Sequence, residues 1–416
     1  MIYPAYEEYK ESGINWIGDI PKEWGVWKLT HACKKIGSGT TPKTDNPEYY
    51  GGNILWVTTS ELRERYIFET NKTLTSKTLV DLPALRLHPK GSVIIAMYGA
   101  TIGRLGILGI EATTNQACCV MQPSQNLNNK YLFYWLYAVR PEIINLSSGG
   151  GQPNVSQDKI SSLKISLPNF KDQQKIADFL DKETAKIDTL IEKQKRFIQL
   201  LEEKRQAVIS HAVTKGLNPN VKMKDSGVEW VGDVPEHWDI KKIGYISMLK
   251  SGEGITSEKI NEVGRFPVFG GNGLRGYCEN FTHNGNYILI GRQGALCGNI
   301  NYGAGKFWAS EHAIVVYIKK NISYLWLGET LKVMNLNQYS VSAAQPGLAV
   351  SNITCLKLPY PPESEQKKIA EYVLKKNDKL NVLVNKSKIS IRLLKERRTA
   401  LISAAVTGKI DVRNIT

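Results

Sequence analysis

The sequence predicts an α+β fold in which two similar mixed α/β domains are joined by two long helices that form an antiparallel coiled coil. Three observations lead to this prediction. A tryptophan motif occurs twice, as SGINWIGDIPKEW at 12–24 and SGVEWVGDVPEHW at 226–238. A second block at 152–180 is repeated at 345–374, and each copy leads into a heptad pattern. The residues between motif and block differ in the two halves. The chain is therefore a diverged duplication with internal pseudo-twofold symmetry.

The two repeats divide the chain into six segments. Each half has a motif segment, a variable segment and a helix, at 1–24, 25–171 and 172–216 in the first half and at 217–238, 239–362 and 363–416 in the second. Both variable segments carry a net positive charge and predict short strands with glycine-rich turns. The first is about 21 residues longer than the second.

The two tryptophans of each motif flank a Gly-Asp turn. Trp16 and Trp24, like Trp230 and Trp238, are predicted to be apolar anchors. They either hold the chain where it passes from helix to domain or provide the docking site for a partner subunit.

Apolar residues recur every seven positions in both helices, with a second series three residues later. Sustained 3-4 spacing is typical of a coiled coil. The predicted seam consists of Leu180, Ile187, Leu190, Leu201, Val208, Val373, Leu380, Leu383, Leu394 and Leu401.

One helix cannot bury such a seam alone, so the two are predicted to pair antiparallel. The alternative is that each helix pairs with another subunit. Asp172 and Ser364 are expected to cap the helix starts, and Gly216 and Gly408 to mark their ends. About 42 residues at 1.5 Å each predict a rod of roughly 60 Å.

Composition and charge restrict the class of protein. The chain has 416 residues and a formal net charge of +15, which favours a polyanionic partner, either nucleic acid or an acidic membrane surface. The amino-terminal stretch MIYPAYEEYKESG is too polar for a secretory signal, and the longest apolar run is too short to span a bilayer. Six cysteines without metal-ligand spacing predict a reduced, cytoplasmic protein.

No catalytic or metal-binding motif is found. Phe269–Gly273 matches the FxGxG loop of amino-methyltransferases, but the partner loop that would hold a target amine is absent, so a tight turn is the better interpretation. There is no Walker A sequence, and the histidines are scattered singly. We therefore expect the chain to be non-catalytic, without a cofactor of its own.

The duplicated tryptophan motif, the Q-x-K-I-A entry to each helix and the two variable segments together resemble the specificity subunit of type I restriction–modification enzymes. The resemblance covers essentially the whole chain. It implies that each variable segment is a target recognition domain that reads one half of a bipartite site in double-stranded DNA. It also implies that the coiled coil spaces the two domains and docks two methyltransferase subunits, which restriction subunits join. S-adenosylmethionine, ATP and magnesium would belong to these partners.

Polar side chains at glycine-rich tips are then the candidates for DNA contact, since Asn and Gln suit adenine and Arg suits guanine. In the first domain they are Lys43, Thr58, Thr59, Ser60, Arg63, Tyr98, Arg104, Asn115 and Gln116. In the second domain they are Lys250, Asn272, Arg275, Arg292, Gln293, Glu311 and His312.

Two other classes of protein remain as alternatives. One is a coiled-coil scaffold that carries two protein-binding domains and has no DNA role; the basic variable segments count against it. The other is a self-contained modification enzyme, which the missing catalytic loop disfavours.

Overall fold

A computed structural model describes residues 3–148, 153–294, 296–340 and 347–415. It divides into two compact units. Unit 1 comprises Met1–Gln194 and Ile389–Thr416, and unit 2 comprises Lys195–Lys388. Each unit contains one motif copy, one variable segment and one half of each long helix. The predicted α+β class, with two repeated mixed domains and long helices, is confirmed.

The first half of the chain contains the elements that lead up to and include the first long helix. Its strands are β1 Tyr9–Glu11, β2 Asp19–Pro21, β3 Gly25–Lys28, β4 Cys33–Ser38, β5 Tyr50–Val57, β6 Arg65–Ile67, β7 Thr73–Leu74, β8 Val93–Ala96, β9 Leu105–Leu108, β10 Thr113–Thr114, β11 Cys118–Pro123 and β12 Lys164–Leu167. Its helices are α1 Leu29–Ala32, α2 Ser76–Asp81, α3 Asn129–Ala138, α4 Arg140–Asn145, α5 Gln157–Ser161 and the long α6 Phe170–Lys215.

The second half repeats this order. Its strands are β13 Met223–Asp225, β14 Asp233–Pro235, β15 Asp239–Lys242, β16 Ser247–Ser251, β17 Phe266–Gly270, β18 Gly273–Cys278, β19 His283–Asn284, β20 Tyr287–Gly291, β21 Ile300–Gly303, β22 Lys306–Ala309, β23 Ala313–Ile318 and β24 Lys357–Tyr360. Its helices are α7 Ile243–Ile246, α8 Tyr324–Val333, α9 Val350–Thr354 and the long α10 Glu363–Val406.

Both units are built on the same strand pairings. The main sheet has the order β4-β11-β8-β9-β6 in unit 1 and β16-β23-β20-β21 in unit 2. The smaller sheet has the order β10-β5-β7 in unit 1 and β18-β17-β22-β19 in unit 2. Each smaller sheet contains one parallel pair, which aligns Thr114 with Val57 and Ala309 with Phe269. The two variable segments therefore share one scaffold despite their different sequences.

Most of the extra length of the first variable segment lies between β5 and β8. Unit 1 places β6, β7 and α2 there, whereas unit 2 has β18 and β19 between the corresponding strands β17 and β20. Strand β6 pairs in parallel with β9 and adds a fifth strand to the main sheet.

A close approach of the backbone explains one pair of glycines shared by the two variable segments. A Cβ atom at Gly39 would lie 1.7 Å from the Thr114 carbonyl oxygen, and one at Gly252 would lie 2.3 Å from the Ala309 carbonyl oxygen. Both distances are far below van der Waals contact, so only glycine fits where the two sheets approach each other.

A buried glutamine joins each long helix to the domain that precedes it. Gln173 Nε2 donates to the carbonyl oxygens of Asn126 and Pro168, and its Oε1 accepts from the Asn128 backbone N–H. Gln366 repeats this arrangement with the Pro361 carbonyl and the Ser323 backbone N–H. These are the glutamines of the Q-x-K-I-A sequence. They tie the helix start to the residue that caps α3 or α8.

The helix starts differ from the prediction. Helix α6 begins at Phe170, and Asn169 caps it, because Asn169 Oδ1 accepts from the Asp172 backbone N–H at 2.9 Å. Helix α10 begins at Glu363, so Ser364 lies inside its first turn. Phe170 and Lys171 precede Asp172 in α6, and Glu363 precedes Ser364 in α10, so each helix begins earlier than predicted. The left-handed φ angles of Gly216 (78°) and Gly408 (73°) agree with the predicted ends.

In unit 1 the halves of the long helices pack antiparallel. Arg398 Nε lies 3.0 Å from Asp188 Oδ1 within the helices. The end of α10 meets the chain just before α6, where Ser166 Oγ donates to the Val406 carbonyl oxygen at 3.3 Å. Residue numbers rise on one helix as they fall on the other.

Unit 2 shows the same antiparallel packing of its helix halves. Arg205 Nη2 donates to Asn381 Oδ1 at 2.5 Å. Lys215, at the end of α6, lines a cavity together with Glu365 from the first turn of α10. The predicted alternative, in which each helix pairs only with another subunit, does not describe these contacts.

The buried positions of the helices differ from the predicted seam in one series. Leu190 and Leu383 are 46% and 40% exposed, whereas their neighbours Ile191 and Val384 are each 6% exposed. The prediction that the second apolar series lies three residues after Ile187 and Leu380 is therefore wrong. The buried residues of this series lie four residues after them. Both neighbours are apolar in each helix, so periodicity alone cannot choose between them. The remaining seam positions are buried or half-buried, namely Leu180, Ile187, Leu201, Val208, Val373, Leu380, Leu394 and Leu401.

The motif copies cover the carboxyl ends of the long helices. Trp24 is 1% exposed and lies beside Gly408, at the end of α10; Trp238 is fully buried beside Gly216, at the end of α6. Trp238 Nε1 also donates to Glu365 Oε2 at 3.0 Å. The first tryptophan of each motif, Trp16 or Trp230, is half-buried.

The amino- and carboxyl-terminal segments meet within unit 1, since the Asp411 backbone N–H donates to the Pro4 carbonyl oxygen at 2.7 Å. We therefore expect a cyclically permuted chain, opened before the exposed Lys222 and joined through the old ends, to fold. Its free energy of unfolding, measured by urea denaturation, should lie within about 1 kcal/mol of the original value, because the new ends lie in a surface connection. As a control, a permutant opened inside β11, before the buried Val120, should not fold. Equal failure of both permutants would contradict the expectation.

The six cysteines are free thiols, and all except Cys355 are buried. Burial raises the pKa of the Cys33 and Cys119 thiols to about 12. Among the described helices, none is long and apolar enough to cross a membrane.

Candidate nucleic-acid interface

In unit 2, three loops bring five of the candidate residues together at one end of the two sheets. The loops are the β17–β18 turn, the end of β20 and the β22–β23 connection. A Cβ atom at Gly271 would lie 3.2 Å from the carbonyl oxygens of both Gln293 and His312, which shows how closely the three loops approach. This group is called the unit 2 tip cluster, and it consists of Asn272, Arg292, Gln293, Glu311 and His312.

Hydrogen bonds link the unit 2 tip cluster. The Arg292 backbone N–H donates to the His312 carbonyl oxygen at 2.9 Å, and Asn299 Nδ2 donates to Asn272 Oδ1 at 3.2 Å. His312 Nδ1 is hydrogen-bonded to Gln293 Oε1 at 3.0 Å. His312 Nε2 lies 3.0 Å from Glu311 Oε1, which is an ion-pair distance and not a hydrogen bond. The sequence did not indicate Asn299 as a partner.

The other two candidates of unit 2 lie near this cluster. Arg275 is exposed on β18. A Cβ atom at Gly270 would lie 3.7 Å from both Arg275 Cδ and the Ser310 hydroxyl oxygen, so Arg275 lies near the β22–β23 connection. Lys250 lies one residue before the end of β16, with its ammonium 5.8 Å from the centre of the Tyr317 ring. Among the described contacts, no ion pair or side-chain hydrogen bond engages the guanidinium groups of Arg275 and Arg292.

Unit 1 brings four candidates together through equivalent connections. This group is called the unit 1 tip cluster, and it consists of Thr58, Tyr98, Asn115 and Gln116. The Asn115 backbone N–H donates to the Val57 carbonyl oxygen at 3.0 Å, which places it beside Thr58. The bond from Met97 N–H to the Ala117 carbonyl oxygen, at 2.8 Å, brings the Tyr98 and Gln116 loops together. Gln116 also accepts a hydrogen bond from the Thr41 hydroxyl.

A half-buried acceptor, Glu61, orders the loop after β5. Its Oε2 accepts from the Thr58 hydroxyl at 2.6 Å and from Ser60 Oγ at 3.0 Å, and its Oε1 accepts from Asn71 Nδ2 at 3.1 Å. Burial acts to raise the pKa of the Glu61 carboxyl, but the hydrogen bonds from Thr58, Ser60 and Asn71 outweigh it and hold the pKa below its usual value. The hydroxyl protons of Thr58 and Ser60 therefore point into the loop. The sequence had not indicated Glu61.

The remaining candidates of unit 1 are more scattered. Arg63 is exposed and donates from Nε to the Ser60 carbonyl oxygen at 3.2 Å, while Thr59 is half-buried. Lys43 and Arg104 are exposed on separate loops, and neither side chain has an ion pair in the part of the chain that the structure describes. The unit 1 tip cluster thus does not include Lys43, Thr59, Ser60, Arg63 or Arg104.

The FxGxG match and the buried His283 both have structural positions in unit 2. Phe269–Gly273 forms the β17–β18 hairpin, in which Gly270 pairs with Gly273. His283 is buried, lies 2.8 Å from the Tyr317 hydroxyl, and stacks on Phe307. In the described ranges, no group of three or more His, Cys, Asp or Glu residues is placed to hold a metal ion.

The chain has two repeated domains with polar tips, together with long helices. This arrangement is typical of modular recognition proteins, and comparison with known proteins identifies the family. The family model of the type I restriction modification DNA specificity domain matches residues 21–200 and again residues 235–393. The chain belongs to this family and is a type I restriction–modification specificity subunit with two DNA recognition domains.

Similar proteins of known name agree with this assignment. The chain is 28% identical over 373 residues to the specificity subunit of the type I restriction enzyme EcoprrI from Escherichia coli. The aligned region covers 86% of this chain and 88% of that protein. It is 26% identical over 441 residues to the MjaIX specificity subunit from Methanocaldococcus jannaschii, which covers 98% of both.

Solved structures share the fold. A chain from a structure on complex assembly and conformational transition of the type I R-M system superposes with a TM-score of 0.73 and 16% identity, covering 93% of this chain and 98% of that chain. The HsdS subunit from Thermoanaerobacter tengcongensis gives a TM-score of 0.55 and 15% identity, covering 94% and 98%.

Proposed function

We propose that this specificity subunit reads a bipartite site in double-stranded DNA, with one unit for each half-site. The observation that carries the proposal is that both units build a tip cluster on the same strand pairings but with different polar side chains. A shared scaffold with different tips suits two readers of different base sequences. The net charge of +15 also favours DNA, because phosphate contacts supply much of the affinity.

The side chains at the tips match the chemistry of base edges. Gln293 and Asn115 carry amides, which can pair with adenine in the major groove, and Arg292 carries a guanidinium, which can pair with guanine. The exposed Lys43 and Arg275 suit phosphate contacts, which position a protein without reading sequence. We propose these roles for the candidate residues as a set.

In this proposal the long helices set the unread gap between half-sites and provide the docking surface for two methyltransferase subunits, which restriction subunits join. The chain itself performs no chemical step. S-adenosylmethionine, ATP and magnesium would be bound by the partner subunits. The family membership and the solved relatives support this division of labour.

A binding experiment tests the proposal. The complex of the chain with its methyltransferase subunits is incubated with a DNA pool in which two blocks of base pairs are randomised, and bound DNA is sequenced. Two short conserved blocks at a fixed distance are the expected result. Bound DNA without any sequence preference, even at low salt, would overturn the proposal and favour a scaffold with two protein-binding domains.

Replacement of Arg292 by alanine should relax recognition of the second half-site only. The expected loss of discrimination at one base pair is about 1–3 kcal/mol, the usual contribution of a bidentate arginine contact. The measurement is the same selection with the variant complex. Arg104→Ala, in the β8–β9 connection of unit 1, is the control and should affect only the first half-site. Equal loss at both half-sites in either variant would contradict the assignment.

A further inference from the structure

A cleft in unit 2 is rich in lysine. It has a volume of about 600 Å³ and lies where the paired strands β15 and β24 meet α7 and the segment after β23. Isoleucine and tyrosine side chains form the rest of its lining. Its lysines are Lys241, Lys242, Lys319, Lys320 and Lys357. This group is called the lysine cleft.

The positive charge of the lysine cleft is poorly offset. Asp239 Oδ2 lies 3.5 Å from Lys241 Nζ, and the same ammonium lies 3.8 Å from the centre of the Tyr360 ring. Lys319 Nζ donates to the Tyr245 carbonyl oxygen at 2.7 Å, which is a neutral partner. Among the described contacts, none of the four lysines other than Lys241 has an ion pair. Five ammonium groups thus face one carboxylate, and a concave surface with such an excess attracts anions.

Unit 1 has a corresponding cleft with different chemistry. It has a volume of about 440 Å³, no lysine or arginine lines it, and its lining includes Glu23. Strand pairing aligns the two clefts, because Lys28 pairs with Lys164 in unit 1 as Lys242 pairs with Lys357 in unit 2. These two lysine positions are therefore common to both units.

The other three lysines of the cleft are specific to unit 2. One precedes the last residue of β15, and the other two directly follow β23, four and three residues before the cap of α8. The same positions in unit 1 precede the last residue of β3 and follow β11, four and three residues before the cap of α3. Trp27, Ser124 and Gln125 therefore occupy the positions of Lys241, Lys319 and Lys320.

This difference between the units restricts the partner. Identical copies of a partner would need equivalent surfaces in the two units. In the proposed complex the methyltransferase subunit is present twice, and two unlike clefts would not suit both copies. One DNA duplex has no such requirement, since it need not be held equally in both units. Its phosphates are also the anions that the proposed function already supplies.

The lysine cleft and the unit 2 tip cluster lie at opposite ends of the main sheet. Strand β23 begins at Ala313, next to His312, and ends at Ile318, next to Lys319. Its 6 residues, at about 3.3 Å each, place the two ends about 20 Å apart, which corresponds to about six base pairs of B-DNA. The exposed Lys250 lies on β16, which pairs with β23. A duplex that runs alongside this sheet would meet both ends.

We propose that the lysine cleft binds phosphate groups of the DNA duplex, about six base pairs from the position that the unit 2 tip cluster reads. Lysine binds phosphate as a point charge, so this contact positions the duplex without reading its sequence. The inference rests on the proposed function and adds a second DNA-binding site to unit 2. Unit 1 lacks three of the five lysines and should hold its DNA less strongly at the equivalent place.

The double variant Lys319→Ser/Lys320→Gln tests the inference. It introduces the residues that unit 1 carries on the shared scaffold, and both positions are exposed, so the fold should be retained. Binding of the selected bipartite DNA by the complex with its methyltransferase subunits is measured over a range of salt concentrations. The slope of log affinity against log salt should become less steep by about 2, and affinity at about 0.1 M salt should fall at least about tenfold, because each lost phosphate contact releases about one counterion fewer. Both selected half-sites should stay the same.

A control of equal charge separates a local contact from the net charge of the chain. Lys222→Gln/Lys224→Gln removes two exposed lysines of unit 2 that lie outside the cleft. Its salt slope and affinity should stay within about twofold of those of the unmodified complex. A loss in this control equal to that in Lys319→Ser/Lys320→Gln would show a general charge effect and overturn the inference.

Neutral linkages in the DNA locate the contact. Single methylphosphonate groups, which lack the phosphate charge, replace one phosphate at a time through the gap and both flanks. In the unmodified complex, replacements about six base pairs from the second half-site should weaken binding. In Lys319→Ser/Lys320→Gln the same replacements should have no effect, because the partner charges are already absent. Replacements at the same distance from the first half-site should act equally in both complexes.

The other outcomes are distinguishable. Unchanged affinity and salt slope in Lys319→Ser/Lys320→Gln, or persistent sensitivity to the same methylphosphonates, would overturn the inference and leave the proposed function standing. Weaker assembly of this variant with the methyltransferase subunits, measured by titration without DNA, together with an unchanged salt slope, would overturn it in favour of an acidic protein surface. Loss of all sequence preference in both half-sites of the unmodified complex would overturn the proposed function, and the inference with it.

Discussion

Replacement of Trp238 by alanine is expected to lower the free energy of unfolding by about 3–5 kcal/mol, the usual cost of truncating a buried tryptophan. Trp238 is fully buried against the end of α6, and its Nε1 donates to Glu365 Oε2 at 3.0 Å. Its loss leaves a cavity and removes one partner of that carboxylate. The measurement is urea denaturation of the full chain, with amide hydrogen exchange to locate the loss in unit 2.

Matched variants separate packing from hydrogen bonding. Trp24→Ala should cost a similar amount, because Trp24 is 1% exposed, but the loss should appear in unit 1. Trp238→Phe keeps most of the packing and should cost less than alanine. Trp27 is 52% exposed, so Trp27→Ala should cost under about 1 kcal/mol. A Trp238→Ala chain as stable as Trp27→Ala would show that the motif does not anchor the helix end.

Removal of one heptad from each long helix is expected to change the gap between half-sites and leave the half-sites themselves unchanged. The equivalent deletions are residues 190–196 and 383–389. Seven residues shorten each helix by about 10.5 Å, which corresponds to about 3 base pairs of B-DNA. Affinity for the original site should fall at least about 100-fold, because two or more base contacts of 1–3 kcal/mol each are lost when one unit leaves its half-site. Selection from a pool with variable gaps measures the new spacing.

A control of equal length separates helix length from helix sequence. In this control the same two heptads are replaced by other heptads that keep the apolar positions corresponding to Ile191 and Val384. The gap should then stay as in the unmodified chain. Changed half-sites in the deletion variant, or a changed gap in the replacement variant, would contradict a role for the helices as spacers.

The sequence indicated the scaffold that carries the candidate site, whereas the DNA contacts of its residues remain a prediction. The duplicated tryptophan motif and the repeated block indicated that the two halves are diverged copies, and the strand pairings of the two units agree with this. It also indicated polar tips, because side chains at turns between strands point away from the core. It could not indicate Glu61 or Asn299. Glu61 is hydrogen-bonded to Asn71 and Asn299 to Asn272, and in each pair the two residues lie on different loops.

Other differences have the same origin. Leu190 and Ile191 are both apolar, and a heptad pattern allows either to face the partner helix. The sequence identified the Q-x-K-I-A entry to each helix but gave no structural role to its glutamine. In the structure Gln173 and Gln366 are buried and hydrogen-bonded to the chain ahead of α3 and α8. The spacing of residues along one helix does not show on which side a neighbouring helix or loop will pack.

The sequence by itself determined that this protein is a duplication, that each half joins a strand-rich domain to a long helix, and that the helices carry an apolar face. Repetition and periodicity are properties of one chain read in order. The tertiary structure decided which apolar face is buried and that the motif tryptophans cover the helix ends. It also decided that Gln293 and His312, which lie on different loops, are hydrogen-bonded to each other. These features depend on contacts between residues far apart in the sequence. Which side chains meet is determined by their direction and distance in the folded chain, and not by residue type alone.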